Sequence, residues 1–251
     1  MNNDRFNKWF NAFILIGMTA VMVITTAIKL KSAQTDHALL IVAAFGALMG
    51  VLSTVCSANA KILTFLFGFF DVSLYGIMCF LDGKYGNAAL HMLYFVPMQF
   101  VGFFQWRKRG AGGSHDKMKA RRFKGKQWLW YSLLFLAGLA LSYFILNEIG
   151  KSAYVGQDSA VISVLKLGVL MDAFSTMCNI LGQLLMSTAY MEQWVFWIGV
   201  NISSVIMWSV SLAHSSDSYA LIYLIKYSFY LLNSLNGLRI WWNLSKPQEM
   251  A

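Results

Sequence analysis

Four polar side chains recur along one apolar segment in the second half of the chain. They are spaced by four, three and four residues, and they are Asp172, Thr176, Asn179 and Gln183. This spacing puts all four on one face of a helix. In a membrane such a polar stripe is costly unless it faces protein or a water-filled cavity. Hydrogen bonds between helices explain the stripe in one interpretation; contact with a polar solute explains it in the other, which the ionisable Asp172 favours.

Aromatic and amide groups share faces in the next two apolar segments. Trp194, Trp197 and Asn201 occupy positions i, i+3 and i+7 of the first one. Trp194 is also suited to anchor the end of a membrane span. An indole beside an amide suits a flat heteroaromatic ring, because the indole stacks on the ring or attracts its charge while the amide hydrogen-bonds in its plane. The last segment adds Tyr223, Lys226, Tyr227, Tyr230, Asn233 and Asn236.

Lys226 needs a partner if it lies inside a membrane, because an unpaired charge at that depth is expensive. Asp71 and Asp172 are the two candidate carboxylates. Snorkelling to the interface and direct contact with a solute are the alternatives.

The first half of the chain has fewer groups that could contact a ligand. Small residues recur at helical spacing at Gly46, Gly50, Ser53 and Ser57, which predicts close helix packing. Gln99 is the candidate ligand contact in this half. His91 is interpreted as a core histidine.

Eight apolar segments must position these groups. The chain is 58% hydrophobic and 12% charged, whereas soluble domains have about 25% charged residues. Each segment has about the 20 residues that span a bilayer, and a helix satisfies its own backbone in lipid. The first segment is interpreted as a retained helix and not a cleaved signal peptide. The predicted spans are 9–28, 38–60, 62–81, 86–105, 128–149, 160–189, 193–213 and 219–240. The sequence therefore predicts an all-α integral membrane protein.

The basic residues predict the orientation of these spans. If the spans alternate in direction, fourteen lysine and arginine residues lie on one side and four on the other, nine of the fourteen between residues 107 and 126. Positive charge favours the cytoplasmic side. We therefore expect both termini in the cytoplasm and a basic loop that orients the protein at the lipid surface, with no nucleic-acid site.

The two halves of the chain share short matches. Ser53–Cys56 resembles Ser175–Cys178, and Asp71-Val72-Ser73 resembles Asn201-Ile202-Ser203. Gly102 with Trp106 also matches Gly237 with Trp241. One helix separates the two predicted triplets, so they are parallel repeats, as in a 3+1+3 transporter with an extra helix in front. The predicted divisions are an N-terminal helix (1–37), the first repeat (38–106), the basic loop (107–127), a linker helix (128–158), the second repeat (159–242) and a tail (243–251).

Catalytic and metal-binding patterns are missing from the sequence. The four histidines lack the spacing of a helical metal site, and no phosphate-binding glycine loop precedes a Lys-Ser or Lys-Thr pair. The three cysteines lie in apolar spans and are interpreted as small buried residues. We therefore expect no enzyme activity, no metal and no cofactor.

Several blocks together resemble the PnuC family of nicotinamide riboside transporters. One block is 172–201, with Glu192, Trp194 and Trp197 at its core. The others are 67–76, 97–106 and 235–239. The resemblance covers about residues 38–242. Residues 187–189 and Asp71 depart from it, since basic residues and an asparagine are common at those places in the family.

The resemblance implies a fold related to the SWEET sugar transporters and facilitated diffusion without ion or ATP coupling, followed by trapping by a cytoplasmic kinase. It also implies a homo-oligomer, with a trimer as the candidate state. Its implied site residues are Gln183, Trp194, Trp197 and Asn201, with Gln99 and Asn236 opposite.

We therefore predict a nicotinamide riboside uniporter of the bacterial inner membrane that works by alternating access around a midplane site. Thiamine or a deoxynucleoside is the alternative substrate, and a non-transporting scaffold is a third possibility. The predicted substrate-binding residues are Gln99, Asp172, Asn179, Gln183, Trp194, Trp197, Asn201, Tyr227, Asn233 and Asn236.

Overall fold

The computed structural model describes residues 3–31, 37–81, 85–112, 118–214 and 220–246. Most of these residues are helical, and no β-strand forms among them. The helices are α1 (Asn3–Leu30), α2 (His37–Ala58), α3 (Leu63–Leu81), α4 (Tyr85–Leu90), α5 (Val96–Lys108), α6 (Gly125–Gly150), α7 (Ser159–Ser187), α8 (Gln193–His214) and α9 (Ala220–Leu244), with a π-helical turn at His91–Phe95 and a 3₁₀ turn at Lys151–Tyr154.

Six helices in the described part of the chain are long and apolar enough to cross a membrane: α1, α2, α3, α6, α7 and α8. This confirms the prediction of an all-α, multi-pass membrane protein. The predicted span 86–105 and residues 220–240 of the last predicted span are helical as well, whereas residue 219 lies outside the described residues. The first of these spans is interrupted, and the second, α9, carries Lys226, Arg239 and several asparagines.

The interruption lies where Pro97 predicts a kink. Proline lacks an N–H and its ring crowds the carbonyl four residues before it, here that of Leu93. The π-helical turn His91–Phe95 ends two residues before Pro97, and such wider turns occur often at functional sites. The hydroxyl of Tyr94 in this turn donates to the Ile180 carbonyl at 2.7 Å, which anchors the turn on α7.

The end of the bundle that carries the basic loop, the basic end, is closed by two buried tryptophans. Trp106 of α5 donates from Nε1 to the Met186 carbonyl of α7 at 2.7 Å. Trp241 of α9 donates to the Ser57 carbonyl of α2 at 2.9 Å. The two rings lie 5.1 Å apart, and neither is exposed. Each predicted triplet is therefore bonded to the other at this end.

The two acceptor carbonyls belong to matching helix ends. Ala60 and Ala189 follow α2 and α7 with φ of 54° and 61°, and their N–H groups donate to the Ser57 and Met186 carbonyls, both at 3.0 Å. Bonds from Lys61 to Cys56 and from Tyr190 to Leu185 complete the same C-terminal capping motif twice. Alanine replaces the glycine that usually takes this conformation.

Two glycines allow the aromatic rings at this end to approach the helices. A Cβ on Gly102 of α5 would lie 2.1 Å from Phe65 of α3, and one on Gly237 of α9 would lie 2.5 Å from Trp194 of α8. Each glycine precedes a tryptophan of the basic end, Trp106 or Trp241, by four residues, so each lies one turn away on the same face.

A short segment of the basic loop, residues 118–124, crosses the basic end and is called the strap. Its backbone pairs with the α7–α8 loop, since the Arg121 N–H donates to the Ala189 carbonyl at 2.7 Å and the Met191 N–H donates to the Arg121 carbonyl at 2.9 Å. Met118 and Phe123 of the strap are buried. The strap thus joins the start of α6 to the second predicted triplet.

The strap packs on protein through its backbone and apolar side chains. That the basic loop lies at the lipid surface stays a prediction. The basic side chains of the strap are exposed. Two of them also contact aromatic rings: the Arg121 guanidinium lies 4.2 Å from the Tyr190 ring centre, and the Arg122 guanidinium lies 3.8 Å from the Trp242 ring centre. Residues 113–117 of the loop lie outside the described residues.

A buried carboxyl group secures the strap. The Phe123 N–H donates to Glu192 Oε1 at 2.8 Å, and the Glu192 side chain is 1% exposed. Burial raises the pKa of Glu192, and the hydrogen bond from Phe123 partly opposes this rise. Its second oxygen, Oε2, has no hydrogen-bond partner among the described residues.

A methyl group at either glycine should disrupt the basic end. We expect Gly102→Ala and Gly237→Ala each to lower the free energy of unfolding by about 1–3 kcal/mol, because the added carbon overlaps a buried ring. Gly168→Ala is the matched control, since a Cβ there has open space around it and alanine favours a helix. Thermal unfolding in detergent measures all three. Equal stability of the Gly102 and control variants would contradict the packing described.

Replacing Glu192 tests the attachment of the strap. Glu192→Ala leaves the buried Phe123 N–H without an acceptor, so we expect a loss of about 1–3 kcal/mol of stability. Glu192→Gln keeps an acceptor oxygen and has no titrating group. Because burial raises the pKa of Glu192, the folded wild type keeps a proton on this side chain at pH values where the unfolded chain has released it. Wild-type stability therefore falls as the pH rises from the ordinary pKa of a glutamic acid to the raised one, and the glutamine variant lacks this loss.

Unfolding measured at several pH values checks both expectations. Glu148→Ala serves as the control because Glu148 is an exposed carboxylate that pairs only with the neighbouring Lys151 in the described part of the chain. An unchanged stability of Glu192→Ala would show that the strap is held by other contacts.

Candidate substrate-binding site

A cavity of about 380 Å³ lies between helices of both predicted triplets. Its volume is within the range of about 300–1,000 Å³ that is usual for small-molecule sites. Its walls come from α2, α3, the π-helical turn, α5, α7, α8 and α9. Polar and aromatic side chains supply much of the lining, which is unusual for the interior of a membrane bundle.

Seven of the predicted site residues line this cavity. They come from four different helices and are Gln99, Asn179, Gln183, Trp194, Trp197, Asn201 and Tyr227. Gln183 lies four residues before the end of α7, and Trp194 is the second residue of α8. The amides and indoles therefore lie mainly towards the basic end.

The two indoles are held in place by glycines. Trp197 packs against α7 at Gly182, where a Cβ would lie 3.1–3.3 Å from three of its ring atoms. Trp194 packs against Gly237 of α9, and its buried Nε1 has no hydrogen-bond partner among the described residues. Both rings therefore pack closely on a neighbouring helix and also line the cavity.

Gln99 and Gln183 reach the cavity from opposite triplets. Gln99 Nε2 donates to the Phe95 carbonyl at 3.2 Å, and its Oε1 lies where a Cβ on Gly68 would be 2.6 Å away. That oxygen is buried without a partner in the described part of the chain. Gln183 Nε2 donates to Ser187 Oγ at 3.1 Å, and Ser187 donates in turn to the Met98 carbonyl of α5 at 3.0 Å.

Asn201 and Asn179 are oriented by neighbouring serines. Asn201 Nδ2 donates to Ser234 Oγ of α9 at 2.8 Å. The other polar atom of the Asn201 side chain is its amide oxygen, Oδ1. Asn179 Nδ2 donates to the Ser175 carbonyl at 2.8 Å. Both serines also line the cavity.

Charged and hydroxyl groups line the part of the cavity away from the basic end. Asp71, Tyr75, His91, Lys226 and Tyr230 belong to this part. Within the described residues, no ion pair within 4 Å joins Lys226 to Asp71 or to Asp172, and Asp71 is the carboxylate that shares its cavity.

Three of the predicted site residues lie outside the cavity lining. Asp172 is exposed on α7. Asn233 is fully buried and donates to the Thr54 carbonyl of α2 at 3.2 Å. Asn236 accepts from Arg239 Nε and Nη2 at 3.1 and 2.9 Å. Their roles in substrate binding stay predictions.

Several lining residues were not among the predicted site residues. Gly50, Ser53 and Ser57 carry a sequence signal of close packing, and they also face the cavity. The sequence favours a core histidine at His91, yet its ring lies 4.6 Å from that of Tyr75 at a tilted angle of 49° and lines the cavity from the π-helical turn. A π-helical turn changes the face on which later side chains lie, and the α-helical spacing used for the sequence does not include it.

The arrangement is suited to binding a flat polar molecule. Gln99 Oε1 offers a buried acceptor and Trp194 Nε1 a buried donor, and both have no protein partner among the described residues. An unsatisfied buried polar atom costs about 1–3 kcal/mol, so water or a solute must pair with them. A solute with an amide group satisfies both kinds of atom, and the indole of Trp197 provides a face for its ring.

Comparisons with known proteins identify the family of this chain. Residues 40–243 match the family model described as nicotinamide mononucleotide transporter. A nicotinamide riboside transporter PnuC from Neisseria mucosa is 33% identical over 207 residues, which cover 81% of this chain and 73% of that protein. The protein of the same name from Haemophilus influenzae is 30% identical over 200 residues, covering 78% and 77%.

A solved structure agrees as well. The crystal structure of the vitamin B3 transporter PnuC superimposes with a TM-score of 0.63 at 28% identity, and the match covers 94% of this chain and 91% of that one. The resemblance drawn from the sequence blocks is confirmed, and this protein belongs to the PnuC family.

Proposed function

We propose that this chain carries nicotinamide riboside across a bacterial cytoplasmic membrane by facilitated diffusion. The observation that supports it best is the cavity between the two triplets, in which indoles, amides and unpaired buried polar atoms meet. Relatives named as nicotinamide riboside transporters cover more than three quarters of the chain. As a member of a transporter family, the chain is not an enzyme.

The chemistry of the substrate fits the groups available. Nicotinamide riboside has a flat pyridinium ring, a carboxamide and a ribose with hydroxyl groups. The ring would stack on Trp197, and the carboxamide would pair with Gln99 Oε1 and Trp194 Nε1. Asn201 and Gln183 would accept and donate further hydrogen bonds.

The proposed architecture has eight spans: an N-terminal helix (1–37), two parallel repeats (38–106 and 159–242) and a linker helix (128–158). The matching helix ends at Ala60 and Ala189 support the repeats, as do the crossed bonds of Trp106 and Trp241. These helix ends favour an alignment of the two repeats that pairs Ala60 with Ala189. It is shifted by seven residues, about two helical turns, from the alignment that pairs Ser53 with Ser175.

The transport step would be a rocking of the two repeats around the cavity. The basic end is closed by Trp106 and Trp241, and Trp194 packs beside Trp241; all three are at most 2% exposed. Opening this end requires that both crossed tryptophan hydrogen bonds break. By the positive-inside bias this end faces the cytoplasm and both termini lie there. The substrate would therefore reach the cytoplasm by the path that these tryptophans close.

Self-association into a homo-oligomer, with a trimer as the candidate state, is part of this proposal. Helix α6 has no buried residue and packs mainly on α7. Its apolar outer surface is available to lipid or to a second copy.

Truncation of the proposed site should weaken binding without unfolding the protein. We expect Trp197→Ala and Asn201→Ala each to weaken binding of nicotinamide riboside by about tenfold or more, because stacking and buried hydrogen bonds are worth about 1–3 kcal/mol. Isothermal titration of the purified protein measures this. Trp130→Ala is the matched control, since Trp130 is 69% exposed on α6. Unchanged affinity in both site variants would exclude this cavity as the binding site.

The same titration identifies the substrate class. Nicotinamide, thiamine and a deoxynucleoside are titrated beside nicotinamide riboside. Tighter binding of thiamine or the deoxynucleoside would replace the proposed substrate. Binding of none of them would favour a scaffold without transport.

Uptake into liposomes tests the mode of transport. Without ATP, ion gradients or a membrane potential, we expect labelled nicotinamide riboside to enter until its concentration is equal on both sides. Liposomes that contain Trp197→Ala should fill more slowly at low substrate concentration. An absolute requirement for a proton or sodium gradient would contradict facilitated diffusion.

A further inference from the structure

Two charged side chains in the cavity have no role in the proposed binding of the ring and the carboxamide. Asp71 is the ninth residue of α3, about 12 Å along the helix from its start, and therefore lies near the middle of the bundle. Its carboxylate lies against α2, because a Cβ on Gly50 would be 2.8 Å from Oδ1 and 3.0 Å from Oδ2. An ionisable group at this depth needs a compensating partner.

No described residue supplies this partner by a direct bond. Among the described residues, the Asp71 carboxylate takes part in no ion pair within 4 Å and no side-chain hydrogen bond. Lys226 Nζ lies 5.6, 5.7 and 6.0 Å from the ring centres of three tyrosines, Tyr230, Tyr227 and Tyr223. Tyrosine faces stabilise an ammonium group. The cavity thus holds a carboxylate that is open to a second cation.

Nicotinamide riboside is such a cation. Its ring nitrogen is bonded to two ring carbons and to the ribose, and the aromatic ring therefore carries one positive charge. Resting on the function proposed above, we propose that Asp71 is the counter-charge that selects the cationic ring over uncharged nucleosides of similar shape. The attraction between these charges is stronger in the low-dielectric interior of the bundle than in bulk water.

Lys226 acts in the opposite direction in this scheme. It lines the same cavity as Asp71 and has the same sign of charge as the substrate. In the empty cavity it compensates Asp71 from a distance, and in the loaded cavity it repels the ring. Removing the charge of Asp71 and removing the charge of Lys226 should therefore change the affinity for the cation in opposite directions.

A pair of ligands isolates the charge. Reduction of the ring to the 1,4-dihydro form adds a hydride at C4, removes the positive charge and keeps the ribose and the carboxamide. Titrations of both ligands compare wild type with Asp71→Asn and Lys226→Met, which change the charge with little change of volume. Glu148→Gln on α6 is the control, because that carboxylate is exposed outside the cavity. Thermal unfolding confirms that each variant is folded.

We expect Asp71→Asn to weaken binding of the cationic riboside by about tenfold or more and to change binding of the neutral form by less than about twofold. Lys226→Met should strengthen binding of the cation relative to the neutral form. Glu148→Gln should leave both affinities unchanged.

Other results would overturn the inference. Equal losses for both ligands in Asp71→Asn would mean that Asp71 supports packing and does not select by charge. If that variant does not fold, Lys226→Met decides, because an unchanged or weaker preference for the cation excludes a charge-based selection. A wild-type protein that binds neither form would instead refute the proposed function, so the two failures are distinguishable.

Discussion

Inside a lipid-surrounded bundle every polar group must find its partner within the protein or in a water-filled cavity. At the basic end this requirement ties the molecule together. The carbonyls of Ser57 and Met186 lie at helix ends, and each accepts both a backbone N–H and the indole N–H of a tryptophan from the other triplet. The bonds that satisfy these helix ends also close the cavity, which links the stability of this end to the step that must open it.

The same requirement applies in the cavity, where some buried polar atoms have no partner among the described residues. Gln99 Oε1 and Trp194 Nε1 are buried without a partner among the described residues, so a solute that displaces water from the cavity must pair with them or leave them unsatisfied at a cost. Specificity follows from this cost, because an analogue without the matching groups leaves those atoms unpaired. The charge of Asp71 adds a second basis of selection, one that depends on the ligand's charge and not on its shape.

The strap extends these connections beyond the bundle. Helix α6 is peripheral and packs on α7 at Gly138, where a Cβ would lie 2.2 Å from Met177 Cε. Through the strap, the start of α6 is also bonded to Ala189, Met191 and Glu192. The proposed linker helix is thus attached to the second proposed triplet at two places, so we expect the two to move as one body in the proposed rocking.

The pattern of residues along the chain is enough to predict the class of the protein, its helices and seven of the residues that line the cavity. Long apolar segments leave helices as the available structure in lipid, and helical spacing alone places Trp197 and Asn201 on one face. Contacts between distant segments settle what α-helical spacing does not contain. The π-helical turn before Pro97 brings His91 to the cavity. Asn233, which bonds to α2, and Asn236, which bonds to Arg239 of its own helix, lie outside the lining. Only the fold brings Asp71 and Lys226, 155 residues apart in the chain, into one cavity, because their proximity depends on how α3 and α9 are placed and not on any local pattern.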